Sequence, residues 1–279
     1  AETFTGESAR APFPGSDDER SARVLVVEDN ETNRRVILGM LDKLGVEANS
    51  ASDGVEAVEA LTRTSFDLVL MDCLMPRMDG YEATRRIRAM KGDVRNIPIV
   101  AVTANAMKGE REKCLDAGMD DYLPKPVSRR ALAEMLEKRL RCREERNRSC
   151  RAVFPEEGAP SEETPSEEIV WDRGALLHRL DGDEELTDEI AAEFLDDIPG
   201  EFASLAAALE SVDPTVAARC AHTIKGAAAS VGGEALRRVA FEAEKAAKAG
   251  DMNMAAVWLF KMEEEFHRLK EEMEKRSGR

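Results

Sequence analysis

The sequence predicts an α/β unit built on a doubly wound, five-stranded parallel sheet, followed by an all-α four-helix bundle. Three observations carry this. Between Arg23 and about Arg143, short Val/Leu/Ile runs alternate with amphipathic stretches, the pattern of strand–helix units whose strands are buried on both faces. Residues 144–168 then become rich in proline and glutamate and lose apolar periodicity. From Ile169 onward no strand-like run occurs, and apolar residues recur at helical spacing.

Taken in order, residues 1–21 are rich in Pro, Gly, Ser and charge and read as a flexible leader, the stub of a linker in a longer chain. The α/β unit spans 22–143. Its central strands are predicted at Arg23–Val27 (RVLVV), Asp67–Met71 (DLVLM) and Ile97–Val102 (IPIVAV), with weaker strands at Val46–Ser50 and Met119–Leu123. Helical spacing covers Asn33–Leu44, Gly54–Thr64, Tyr81–Met90, Met107–Ala117 and Ser128–Arg141; Val36, Leu41 and Leu44, for example, share one stripe. The linker, 144–168, cannot continue as a helix through Pro155, Pro160 and Pro165. In the bundle, 169–279, Leu186, Ile190, Phe194 and Ile198 repeat at helical spacing, and Phe202, Leu205 and Leu209 resume after Pro199. Further helices follow over Val216–Ser230, Ala235–Ala249 and Met254–Lys275, with turns at Gly232–Gly233 and Gly250–Asp251. Asp213 before Pro214 has the form of a helix cap with proline in the first turn.

Composition narrows the function. The formal net charge is −16, which argues against nucleic acid or an anionic membrane as partner. Over residues 167–279 there are 14 Lys/Arg against 25 Asp/Glu, so the bundle is the more acidic part. No apolar run approaches the roughly 20 residues needed to span a bilayer. The five cysteines (Cys73, Cys114, Cys142, Cys150, Cys220) are scattered, odd in number and never in a C-x-x-C pair, as expected of reduced thiols in a cytoplasmic segment. The parent protein can still be membrane-attached.

A first chemical site is predicted at the carboxyl ends of the strands, where parallel strands converge. Strand one ends in Glu28 and Asp29, strand three in Asp72, strand four in Thr103, and strand five runs through Tyr122 into Lys125. Three carboxylates held together raise one another's pKa unless a cation is present. A hard divalent ion with oxygen ligands, Mg²⁺ above all, answers that need and can bridge a phosphoryl oxygen. Lys125 and Thr103 would contact the remaining oxygens, the clamp that a loose phosphoryl-transfer transition state requires. Asp72, on the central strand, is the nucleophile candidate.

The pieces VLVVEDN, VLMDCLMPRMDG, VTANA and DYLPKP resemble two-component receiver domains, whose fold is flavodoxin-like. The resemblance implies that Asp72 is the phosphoacceptor. It implies Mg²⁺ ligands in Asp29, Asp72 and the Leu74 backbone carbonyl, with Glu28 holding the metal's water shell. Thr103 and Tyr122 would form a hydroxyl–aromatic switch. VEDNETNRRVILGMLDKLG is especially like the receivers attached to hybrid histidine kinases.

A second nucleophile sits in the bundle. His222, Lys225, Gly226 and Ala229 fall at i, i+3, i+4 and i+7 and share a helix face, while Ile224, Ala227, Ala228 and Val231 point inward. The imidazole would carry phosphate, Lys225 would neutralise its oxygens, and Gly226 and Ala229 would remove bulk beside it, leaving an exposed nucleophile for a partner to grip. His178 and His267 have no such company. HTIKGAAASVGG resembles the signature of histidine phosphotransfer (HPt) domains, which places phosphorylation on His222.

Together the resemblances imply a phosphorelay fragment of a hybrid sensor kinase. Phosphate would arrive on Asp72 from an upstream histidine kinase core, pass to His222 and leave to a downstream response regulator receiver. The sequence carries no G-x-x-x-x-G-K-[ST] loop, so no ATP-binding core is expected in this chain. About 25 linker residues span about 25–30 Å r.m.s., enough for the two sites to meet within one chain. The alternative is a receiver-like docking module that regulates a kinase without chemistry. A DNA-binding regulator would need a basic domain that the acidic bundle does not supply.

Overall fold

The computed structural model describes residues 22–103, 108–146 and 170–276. The expected leader, most of the linker and the predicted helix start at Met107 lie outside them.

Five parallel strands form one sheet, β1 (Arg23–Val27), β2 (Glu47–Ala51), β3 (Leu68–Asp72), β4 (Ile99–Thr103) and β5 (Asp121–Pro124), in the order β2-β1-β3-β4-β5. The predicted boundaries move by up to two residues. On β3 the shift matters, because the strand extends to Asp72 itself. Helices α1 (Glu31–Lys43), α2 (Gly54–Arg63), α3 (Gly80–Ala89), α4 (Lys108–Ala117) and α5 (Arg129–Arg146) complete the unit. α1 starts earlier than its apolar stripe because Asn30 caps it, accepting from the Asn33 amide at 2.9 Å. α5 runs to Arg146, past the boundary expected at 143. The order of strands reverses between β1 and β3, so a crevice opens at the carboxyl ends of those two strands.

The second unit consists of a short helix α6 (Arg173–Arg179) and four long ones, α7 (Glu184–Glu210), α8 (Pro214–Val231), α9 (Glu234–Lys248) and α10 (Met252–Arg276). α6 is too short to show a period; before it Trp171 is buried, its indole donating to the Val231 carbonyl at 2.9 Å. α7 continues through Pro199, although proline removes one backbone hydrogen bond. Buried Phe194, Ile198, Phe202 and Leu205 hold both halves on the core, and Phe202 meets Phe266 edge-on at 5.5 Å. Asp213 caps α8 at 3.0 and 3.1 Å, and Gly232 ends it in the left-handed region (φ 85°). Among the described residues no helix is long and apolar enough to cross a membrane.

The two units are packed together through α1, which lies against α7 and α8. Gly39 allows close approach to Leu180 and Leu186, and a single apolar cluster runs from Val36 and Met40 to Leu180 and Ile190. Around it Lys43 pairs with Asp183 (2.6 Å), Arg35 with Glu189 (2.9 Å) and Glu193 (3.3 Å), and Arg129 with Asp181.

Candidate functional site

The crevice between β1 and β3 brings the acidic residues together. Carboxylate oxygens of Glu28, Asp29 and Asp72 lie within 4.8 Å of one another. Glu28 and Asp72 are buried and Asp29 is half-buried. Lys125, carried past the end of β5, places its Nζ 2.7 Å from Glu28 Oε2 and 2.9 Å from Asp72 Oδ2. The Thr103 carbonyl accepts from the Lys125 amide at 2.7 Å, which fixes the lysine's entry into the crevice. Thr103 is buried at the end of β4; Tyr122 is half-buried on β5, in register with Ala101. The Leu74 amide points at Asp72 Oδ1 at 3.4 Å.

One ammonium does not balance three carboxylates. Burial, then the Asp72 charge, pushes Glu28 up to about 7 despite Lys125. Burial and the charges of Asp72 and Glu28 push Asp29 up to about 8, with Glu201 of α7 adding to the repulsion. Burial would lower the Lys125 pKa, but Asp72 and Glu28 outweigh it and hold the ammonium charged. A crowded all-oxygen donor set with excess negative charge fits a hard divalent cation. Cys73, next to Asp72, is a buried thiol with its sulfur 3.8 Å from that of Cys114; that contact and burial raise its pKa.

The histidine site lies on α8. His222 and Lys225 are buried rather than bare, at 9% and 8% exposure, and Ala229 is as covered as His222. Ile224, Ala227, Ala228 and Val231 face the bundle core as their spacing predicts. What sequence reasoning missed is Glu244 on α9. Its Oε1 lies 2.9 Å from His222 Nδ1, and its Oε2 accepts from Lys225 Nζ at 2.5 Å. Burial alone would raise the Glu244 pKa, but His222 and Lys225 together hold it well below the carboxylate range. The Lys225 ammonium is itself pushed down by burial, only partly offset by Glu244. Lys225 also lies over the half-exposed Phe241 ring, 5.7 Å from its centre. His178 and His267 are exposed.

Two further residues link the sites. Asn33, at the start of α1, donates from Nδ2 to Glu28 Oε1 at 2.9 Å. Its Oδ1 accepts from Ser230 Oγ, two turns after His222, at 2.6 Å. A Cβ placed on Gly226 would come within 3.2 Å of Asn33 Nδ2. The glycine, costly in a helix, leaves room on α8 for the Asn33 side chain of α1.

Residues 24–137 match the response regulator receiver domain family, and residues 189–274 match the Hpt domain family. The sensor protein GacS of Pseudomonas syringae pv. syringae is 42% identical over 139 residues, 49% of this chain and 15% of that protein. Sensor histidine kinase GacS of Pseudomonas protegens is 31% identical over 253 residues, 90% of this chain and 27% of that protein. Sensor histidine kinase RcsC of Salmonella typhi is 42% identical over 121 residues, 43% of this chain and 12% of that protein. The chain therefore spans about a quarter or less of the length of these relatives. Among solved structures, the receiver domain of sensor histidine kinase PA1611 from Pseudomonas aeruginosa PAO1, with a magnesium ion in its active site cleft, is 46% identical, covering 43% of this chain and 98% of that one at a TM-score of 0.41. This chain carries, in order, a response regulator receiver domain and an Hpt domain, the domains of phosphorelay signalling.

Proposed function

We propose that the chain relays a phosphoryl group between Asp72 and His222 as the receiver and Hpt part of a hybrid sensor histidine kinase. The receiver extends over 22–143 and the Hpt unit over 169–279, joined by the linker 144–168. One observation carries the reading: α1 packs on α7 and α8, so the acidic crevice and the face bearing His222 are turned toward each other within one chain.

The chemistry follows from the side chains. An Asp72 carboxylate oxygen attacks the phosphorus of an incoming phosphohistidine; the O–P bond forms as the donor's N–P bond breaks. In the second step a ring nitrogen of His222 attacks the same phosphorus, and Asp72 departs as a carboxylate. With Nδ1–H donated to Glu244, the lone pair lies on Nε2, which becomes the nucleophile. Lys125 and Thr103 hold phosphoryl oxygens on the aspartate side and Lys225 does so on the histidine side. Glu28, Asp29, Asp72 and the Leu74 carbonyl would hold Mg²⁺, which supplies charge neutralisation for the transferring oxygens. Thr103 and Tyr122 would report phosphorylation as the switch pair. The donor is an upstream histidine kinase core, and a downstream response regulator receiver takes the group from His222, on the cytoplasmic side of the parent protein.

The test is labelling by acetyl phosphate and Mg²⁺, with phosphate located by mass spectrometry. The wild-type chain should carry it on Asp72 and His222, His222→Ala on Asp72 alone, and Asp72→Ala on neither. Labelling of His222 at the wild-type rate without Asp72 would contradict the reading.

A further inference from the structure

The helix α7 contains no lysine or arginine; it carries Glu184, Glu185, Asp188, Glu189, Glu193, Asp196, Asp197, Glu201 and Glu210. The surface of α1 that meets it is basic: Arg35 pairs with Glu189 and Glu193, and Lys43 pairs with Asp183 just ahead of α7. Arg35, Gly39 and Lys43 fall at i, i+4 and i+8 and form one stripe. In its middle, a Cβ on Gly39 would come within 2.8 Å of Leu186 Cδ2, so contact depends on a residue without bulk there.

The other end of α1 reaches the nucleophile's own face. His222, Gly226 and Ser230 are at i, i+4 and i+8 of α8, and the last two touch Asn33. His222 is 9% exposed in this arrangement. A second receiver approaching His222 would meet Asn33 of α1 on the same face, at Gly226 and Ser230.

Resting on the relay proposed above, we infer that the α7–α8 face of the Hpt domain is a single-occupancy dock that the chain's own receiver fills through α1. The downstream partner is a receiver-type α/β domain whose first helix is basic, free of bulk at its centre and amide-bearing at its start, and it takes phosphate only after displacing the resident receiver. Ion pairs of this half-exposed kind are individually weak and screened by salt, so the dock opens reversibly.

Full chains with Asp72→Ala provide the donors, His222 being loaded chemically with phosphoramidate so that no phosphate returns to the resident receiver. One donor carries Arg35→Glu and Lys43→Glu in addition; a third adds Asp183→Lys and Glu189→Arg, which restores opposite charges across the dock. The probe acceptor is a separate full chain with His222→Ala together with Asp183→Lys and Glu189→Arg, which repel its own α1 and leave that helix free to meet the donor. In parallel, unphosphorylated donors are treated with diethyl pyrocarbonate, and modification of His222 is read against exposed His267 in the same molecule. The α1 reversal should raise His222 modification and onward transfer by about five-fold or more, with His267 unchanged, and the compensating reversal should return both toward the starting values. Equal His222 modification in all three chains overturns the dock, whatever the phosphate does. Transfer absent from every donor, with His222 modification following the expected order, overturns the relay reading and leaves the dock standing.

Discussion

Asn33 joins the two chemical centres through a single side chain: its Nδ2 donates to Glu28 Oε1 at 2.9 Å while its Oδ1 accepts from Ser230 Oγ at 2.6 Å. The residue that steadies a carboxylate of the crevice therefore also anchors the helix bearing His222. Replacing it by alanine leaves the buried Ser230 hydroxyl without this acceptor, at a cost of about 1–3 kcal/mol. Asn33→Ala should slow transfer from Asp72 to His222 by about ten-fold or more, and Ser230→Ala by a smaller factor, in single-turnover measurements. Labelling of Asp72 by acetyl phosphate in Ser230→Ala should stay at the wild-type rate, because Ser230 does not touch the crevice.

Metal dependence should be confined to the aspartate step. Chelation should abolish Asp72 labelling by acetyl phosphate, and Asp29→Asn should weaken Mg²⁺ binding by about ten-fold or more in calorimetric titration, since it removes one of three converging carboxylates. Loading of His222 by phosphoramidate should proceed unchanged under the same chelation.

Glu244 makes a pH prediction. Its carboxyl is held well below the ordinary 4.5, so its stabilisation is fully present above that value and is lost as pH falls through the lowered folded-state value. Glu244→Ala strands Lys225 and His222 in a buried site and should cost about 3–5 kcal/mol near neutral pH. Urea unfolding followed by tryptophan fluorescence should show the gap between variant and wild type persisting down to about pH 5 and closing in stronger acid.

Gly226→Ala should separate folding from docking by sign. Alanine favours the helix by about 1 kcal/mol, so unfolding should become no easier. The added Cβ, 3.2 Å from Asn33 Nδ2, should nevertheless slow Asp72-to-His222 transfer. A variant both less stable and unimpaired in transfer would assign the glycine a different purpose.

Much of this was legible in the sequence because strand ends and helix faces follow from fixed periods. Glu28, Asp29, Asp72, Thr103 and Lys125 converge because parallel strands align their carboxyl ends, and the His222 face follows from i, i+3, i+4 and i+7. Glu244 was hidden because it lies on another helix in the run Glu242–Lys245, whose charges read as a solvated surface. The dock was hidden for a related reason. The stripe Arg35, Gly39, Lys43 is polar or bare, and periodicity registers only apolar faces; Val36, Leu41 and Leu44 marked the apolar stripe of α1 and left this side silent. The burial of His222 could not be read either, since it depends on contacts from residues distant in sequence.

The claim on which the rest depends is that phosphate moves between Asp72 and His222 inside one docked chain. The direct measurement is the rate constant for appearance of phosphate on His222 after a pulse of acetyl phosphate, taken over about 100-fold dilution of the protein. Docking through α1 predicts a first-order rate constant that does not change with dilution. A rate that falls in proportion to protein concentration would show transfer between chains and contradict the account.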